Sequence, residues 1–306
     1  MLETLLTAPA SAAPAESVAA WWPRHRAIAA QWPTPIEQAI AGGYCADRLG
    51  WAFASGYQAA LRALAPGLPN AAICALCVTE AGGNHPRAIR TTLRAAGGGF
   101  VLNGAKRWTT LGPEGSVFLV AAREAEAPGE RPRLRLARVA SDLPGVQVEP
   151  MPSTRFVPEV PHAQLRFENV ALYAGDVLPG DGYDDYVKPF RTAEDTHVHA
   201  AALAYLVREA RRLGWPRGWT ERAVANLQAL AGIAALERSA AATHIALAGA
   251  LAAGAALIAE TGPFWSGAGA DPAAARWSRD RPLLDVASQA RAQRTERAWE
   301  RLAPSA

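Results

Sequence analysis

Between residues 15 and 66 apolar side chains recur at helical spacing: Val18, Trp21 and Trp22, then Ile36 and Ile40, then Leu49, Phe53, Tyr57, Leu61 and Leu64. Steps of three and four residues place one apolar stripe along each helix. Pro66-Gly67 and Pro69 end that part. From Ile73 to about Leu178 the period shortens to alternating runs (ICALCV, GFVLNG, VFLVAAR, LRLARV, VQVEP, AQLRFENV). Turn residues such as Gly97-Gly98-Gly99, Asn103-Gly104 and Leu143-Pro144-Gly145 separate them, which predicts a compact antiparallel β domain. Helical spacing returns at Thr192-Ala193-Glu194-Asp195, a capping-box pattern ahead of Val198, Ala201, Ala202 and Tyr205. A second helix is predicted after Thr220 and a third through the Ala-rich stretch. A terminal one near Asp280-Arg281-Pro282 carries Leu283, Val286 and Ala290 toward Trp299.

Helices, then strands, then helices, with no β/α alternation, predict an α+β fold. The expected domains are an N-terminal helical one (1–70), a central β domain (71–182) and a C-terminal helical bundle (183–306), the bundle being the surface for a homodimer or larger homo-oligomer. The length of 306 residues suits about two packed units and a sizeable core.

Composition narrows the function classes. Half the residues are hydrophobic and 19% are charged, which excludes disorder, collagen and a coiled-coil array. Lys+Arg 31 against Asp+Glu 28 leaves a net charge of +3 with no block of like charge, so nucleic acid and membrane surfaces are not expected partners. Cys45, Cys74 and Cys77 are too few for a disulfide framework and suit a reducing compartment. The leader MLETLLTAPASAAPA lacks a basic region and is broken by Pro9, so it fails as a signal peptide and the expected location is the cytoplasm. Ala240 to Ala259 is long enough to span a bilayer, but its Ala/Gly content and the Thr243-His244 step read better as a helix buried between helices or in a subunit interface.

Several signatures are missing from the sequence: GxGxxG, the Walker A loop, HExxH and GxSxG. Cys74 and Cys77 form a CxxC inside an apolar run, which reads as a strand with two buried thiols. His197 and His199 stand two apart on a helix and point to different faces. No metal is predicted.

What stands out is an ordered series in the β part. It begins with Leu76-Cys77-Val78-Thr79-Glu80-Ala81-Gly82-Gly83-Asn84 and Arg90-Thr91-Thr92, and continues with Gly99-Phe100-Val101-Leu102-Asn103-Gly104-Ala105-Lys106-Arg107-Trp108-Thr109-Thr110. It closes with Phe167-Glu168-Asn169-Val170 and Asp176-Val177-Leu178-Pro179-Gly180-Asp181-Gly182. The series resembles the acyl-CoA dehydrogenase family of FAD enzymes, whose middle domain carries V-T-E-P-x-A-G-S-D, G-y-v-L-N-G-x-K-x-W-I-[TS] and F-x-x-V-x-V-P-x-x-n-x-L-G in that order. The likeness covers about residues 45 to 185.

The resemblance implies a FAD site at Cys77, Val78, Thr79, Trp108, Thr109 and Thr110. Val78 and Thr79 would face the pyrimidine edge with backbone and hydroxyl groups, Trp108 would pack on the ring, and Thr110 would hydrogen-bond near N5. Such groups suit a ring that gathers negative charge at that edge on reduction. Where the family has A-G-S-D, this chain has Gly82-Gly83-Asn84-His85-Pro86, so Gly83 and Asn84 are the candidates for substrate contact, beside a turn that Pro86 stiffens. Lys106-Arg107 is open to two readings, phosphate contact or a solvated strand edge.

Departures lie in the helical parts. By the family's standard the N-terminal helical domain is shortened, and the family's Q-x-x-G-G-x-G-[YF] and Y-E-G-[TS] segments are absent. Arg211-Arg212-Leu213-Gly214 is a blurred R-x-x-F-G step. Dehydrogenation needs a base for the α-proton, and some members place a Glu on the first helix after the β domain, where Glu194 stands; the competing reading is its capping box. The resemblance therefore implies α,β-dehydrogenation of an acyl-CoA or similar thioester, with an electron-transfer flavoprotein as electron partner. Two alternatives remain open: a flavin-dependent monooxygenase on the same fold, and a non-catalytic homologue serving as an assembly module.

Overall fold

The computed structural model describes residues 1–125 and 133–303. In chain order it has helices α1 (Leu2–Thr7), α2 (Val18–Ala29), α3 (Pro35–Tyr44) and α4 (Leu49–Leu64). Strands follow: β1 (Cys74–Cys77), β2 (Thr92–Ala96), β3 (Gly99–Thr110), β4 (Val117–Glu124), β5 (Leu134–Ala140), β6 (Val146–Pro150) and β7 (His162–Tyr173). Helices α5 (Lys188–Leu213), α6 (Arg217–Ala234), α7 (Ala241–Gly267), α8 (Pro272–Asp280) and α9 (Ser288–Leu302) close the chain. The expected α+β order is present. Two compact units result: a helical one of Met1–Ala63, Arg155–Glu159 and the chain from Thr192, and a β one of Leu64–Thr154 and Val160–Arg191.

In the β unit the strands run in the order β1-β4-β2-β3-β7-β6, with β5 paired to β4. The sheet is mixed rather than wholly antiparallel, because β4 pairs in parallel with both β1 and β2. Its core gathers Leu93, Leu102, Phe118, Val120, Leu165, Phe167 and Val170, the inward positions of alternating strands. Gly97 and Gly98, both at positive φ, make the two-residue hairpin loop that closes the Ala96↔Gly99 pair. Asn103-Gly104 does not separate strands as the turn chemistry predicts. It lies inside β3, opposite a bulge in β7 where Glu168 and Asn169 face Asn103. Gly104 (φ +144) passes so close to Thr91 that a Cβ would lie 2.5 Å from its hydroxyl oxygen. Asn103 Oδ1 accepts from the Asn169 amide at 2.8 Å, satisfying a donor that the broken register would strand.

In the helical unit, caps mark the helix starts. Ser17 accepts from Ala20 N at the head of α2, and Thr34 with Glu37 forms a capping box at α3. Trp21 stacks on Trp51 at 5.2 Å between ring centroids, and Trp51 Nε1 donates to Ala15 O at 2.7 Å. Gly43 of α3 and Gly56 of α4 lie directly on the backbone of α5, at Ala201 and at Val198.

The start of α5 differs from its sequence expectation. Asp181 accepts from Tyr183 N and Asp184 N and caps a π-helical turn over Gly182–Val187 that runs straight into α5. Thr192 and Asp195 are therefore interior helix positions and cap nothing. Asp195 instead receives Arg291 Nε at 2.8 Å and Arg294 Nη2 at 2.7 Å, both from α9. Helix α6 starts at Arg217, ahead of Thr220. The segment Arg281–Asp285 is a 3-10 turn, so the terminal helix begins only at Ser288.

Helix α7 departs from one of its two expected settings, that of a helix buried between other helices. It is long and apolar enough to cross a membrane, yet only 22% of its most apolar window is buried. One side, with Thr243, Leu247, Ala250, Gly254, Leu257 and Trp265, is buried, and α7 packs on α6 and α9. Trp219 Nε1 and Asn226 Nδ2 of α6 donate to its Leu257 and Ala250 carbonyls. The opposite side, with Ala246, Gly249, Ala253 and Ala256, is exposed rather than enclosed by other helices of the chain.

Candidate functional site

The site grows from a change of parity in β3. Leu102 and Lys106 point inward, and strict alternation would send Trp108 inward as well. The β3–β7 register instead shifts between Lys106 and Thr109, and Trp108 adopts φ 57. After this bulge the odd positions are inward: Thr109 is 1% exposed, whereas Trp108 is 48% exposed. Trp108 N donates to Met151 Sδ, and the ring meets His162 edge on at 6.0 Å between centroids. Burial lowers the pKa of His162 against the opposing effect of its contact with the Val160 backbone. Met151 and His162 carried no sequence signal for this role.

The end of β1 comes to the same place. Arg107 N donates to Thr79 O at 2.8 Å, which joins the segment after β1 to the bulge. Glu80 and Gly83 then exchange backbone hydrogen bonds, Glu80 N to Gly83 O at 2.9 Å and Gly83 N to Glu80 O at 3.0 Å, closing a tight turn with Gly83 at φ +103. Val78, Thr79 and Thr110 are half-buried, and Asn84 is exposed at the turn. Thr79, Trp108 and the candidate substrate residues Gly83 and Asn84 thus lie on connected backbone around one bulge.

Two expected contacts do not present side chains there. Cys77 is 1% exposed, and Thr109 Oγ1 reaches its Sγ at 3.8 Å inside the core. Burial pushes the Cys77 thiol up to about 12, so it is a neutral core group. The bulge explains Thr109, because it turns inward the residue that an unbroken strand would expose. Cys74 and Cys77 are both buried, as the apolar CxxC run predicts.

Lys106 fits neither reading offered by its sequence. It is fully buried, with Nζ 2.7 Å from Glu80 Oε1 and 3.3 Å from Val78 O. Glu80 also accepts from Arg90 N, Thr91 N and Thr91 Oγ1. Burial by itself would raise the Glu80 pKa, but Lys106 and the Thr91 donors outweigh it and hold the carboxyl below its ordinary value. Arg107, by contrast, is exposed.

Glu194 is a half-buried residue of α5 in the helical unit. His197 and His199, also on α5, each direct Nδ1 to a carbonyl one turn back, of Ala193 and Asp195. Burial lowers both to about 4, so both are neutral near pH 7. The helical unit also holds an open cavity of about 610 Å³ lined by Leu6, Arg211, Trp215, Arg217 and Glu221 among others. It lies at the blurred Arg211-Gly214 step. Arg211 is already committed there to Leu5 O, Ala8 O and the Tyr44 hydroxyl.

Residues 75–170 match the family model described as the acyl-CoA dehydrogenase middle domain. A curated relative, benzylmalonyl-CoA dehydrogenase of Aromatoleum aromaticum, is 36% identical over 88 residues, which is 28% of this chain and 22% of that protein. The match thus spans about a fifth of that relative's length. Among solved structures, a putative acyl-CoA dehydrogenase from Mycobacterium smegmatis aligns with TM-score 0.69 and 17% identity over 92% of each chain. A glutaryl-CoA dehydrogenase from Mycobacterium smegmatis in complex with FADH2 aligns with TM-score 0.69 and 14% identity over 100% of this chain and 94% of that one. Residues 75–170 are thus similar to the acyl-CoA dehydrogenase middle domain, and the chain has the fold of the acyl-CoA dehydrogenases it aligns with.

Proposed function

We infer that the chain is a FAD-binding oxidoreductase that dehydrogenates an acyl-CoA or similar thioester. The observation that carries this reading is the bulge in β3, which brings Trp108 out of the core beside the Thr79 backbone. The residues fit a flavin edge. A half-exposed indole supplies an apolar wall, and the Thr79 and Thr110 hydroxyls make no hydrogen bond among the described residues. When bound, FAD supplies a hydride acceptor for the carbon beta to the thioester.

The chain's own groups divide the remaining work. Trp108 would cover the ring, while Thr79 and Thr110 would donate hydroxyl hydrogen bonds to its edge. Val78 would face the same edge through its backbone, and Gly83 with Asn84 would border the thioester. Glu194 removes the α-proton. An electron-transfer flavoprotein would be the electron partner. Free thiols at Cys45, Cys74 and Cys77 suit a cytoplasmic location. The exposed small-residue side of α7, together with exposed Trp299 and Leu302 of α9, supports a homo-oligomer assembled through these helices.

Titration of the purified protein with FAD tests the reading. Saturable uptake with the visible bands of a bound flavin is the expected result. A protein that stays colourless in excess FAD overturns it and leaves the non-catalytic module.

A further inference from the structure

Lys106 joins separate segments of the β unit at one buried point. Its ammonium bonds Val78 O just before Thr79, and it bonds Glu80, which in turn receives Arg90 N and the backbone and hydroxyl of Thr91. Its own backbone lies immediately before the bulge that exposes Trp108. The Lys106 side chain is the last inward one before the parity change, so it can reach under the segment that carries Thr79. Gly104 allows this by letting β3 pass tight against Thr91.

Stability alone is a weak reason for such a lysine. A buried ion pair replaced by apolar groups of similar size is often neutral or stabilising, because desolvating two charges offsets their attraction. A pair tied into surrounding backbone donors and acceptors fixes geometry instead.

We propose that Lys106 is a positioning residue: with Glu80 it holds Val78-Thr79 in register on the β3 bulge, and so sets the edge against which the flavin is placed. The proposal rests on the FAD reading above and adds a residue to it. Lys106 touches neither ligand nor reacting atoms. It acts through the Val78 carbonyl and the Glu80 carboxylate.

The test compares the parent with Lys106→Met and with the double variant Lys106→Met/Glu80→Gln. The single variant leaves the Glu80 charge buried without its cation and loses thermal stability. The double variant removes that charge; the glutamine carbonyl still accepts from Thr91 N and Thr91 Oγ1, while its amide nitrogen replaces the oxygen that receives Arg90 N, so part of the stability returns. Its FAD affinity nevertheless stays about tenfold below the parent's, the size of one hydrogen bond from a charged group. The visible absorption of its bound flavin also shifts, and the Arg107 amide exchanges hydrogen faster because its bond to Thr79 O loosens. Parent-like affinity and absorption in a stable double variant overturn the proposal. If the parent takes up no FAD, the functional reading fails separately, and Arg107 exchange alone decides: faster exchange in the double variant supports positioning, unchanged exchange overturns it.

Discussion

Arg107 and Thr79 are 28 positions apart and are joined by one backbone hydrogen bond of 2.8 Å, Arg107 N to Thr79 O. The bond fastens the segment after a short buried strand to the bulge of a long one. Both sides of the candidate flavin edge depend on that junction, and Trp108 follows it by a single residue.

Trp108 supplies the most direct single-site prediction. Trp108→Ala lowers FAD affinity by about 2 kcal/mol, from lost aromatic burial against the ring. The fold survives, because the indole is 48% exposed and supports no core. Calorimetric or fluorescence titration with FAD checks this. Equal affinity in parent and variant removes Trp108 from the site.

Glu194→Gln separates chemistry from structure. With Glu194 as the base, the variant binds FAD and keeps its fold, while flavin reduction by a saturating acyl-CoA falls by about 10² to 10⁴. A purely structural Glu194 gives a small stability loss and undiminished reduction. Stopped-flow measurement of flavin bleaching distinguishes the two.

Glu159 makes stability depend on pH. Burial raises its carboxyl above the ordinary value and the nearby Asp280 raises it further, opposed by its backbone contact, Arg279 and Arg48. Arg279 Nη2 contacts one oxygen at 3.3 Å, while the other is buried without a hydrogen bond. Folding therefore favours the protonated form. That contribution is fully present below the unfolded value of about 4.3 and is lost as pH rises through the folded value. Glu159→Gln removes the loss. Melting curves should show the variant gaining on the parent from about pH 4 toward pH 7; a constant difference across that range contradicts the assignment.

Gly43→Ala tests the contact of α3 with α5. A Cβ at Gly43 runs into the Ala201 carbonyl, a backbone group that cannot step aside as a side chain can. Overpacking of this kind costs about 1–3 kcal/mol, against a helix-propensity gain of about 1 kcal/mol. Urea unfolding should show net destabilisation, and a stability equal to the parent's means that the helices separate freely.

Strands β4, β5 and β7 were legible in the sequence, β5 and β7 by alternating buried and outward positions and β4 as a short continuous apolar run, each bounded by turn residues. Helices α2 to α4 were legible from their stripes of Trp, Ile and Leu. The candidate site was harder, because it depends on breaks in the pattern. Nothing local in Lys106-Arg107-Trp108 tells that the lysine is enclosed and the tryptophan exposed; the bulge that decides it is fixed by the pairing of β3 with β7, far along the chain. Asn103-Gly104 carries the chemistry of a turn and serves a bulge, since its partner Asn169 lies 66 positions away. Thr192 to Asp195 matches a capping box, but Asp181 caps earlier and the arginines of α9 claim Asp195. Each case is a local signal overruled by a partner elsewhere in the chain.

The most direct test of the central claim is an anaerobic titration of the FAD-loaded protein with a panel of acyl-CoA thioesters, followed by the visible flavin absorbance. The account predicts that at least one thioester bleaches the bound flavin in stoichiometric amount, with formation of the α,β-unsaturated product. Flavin that is bound but never bleached by any thioester contradicts dehydrogenation and leaves the oxygenase reading on the same fold.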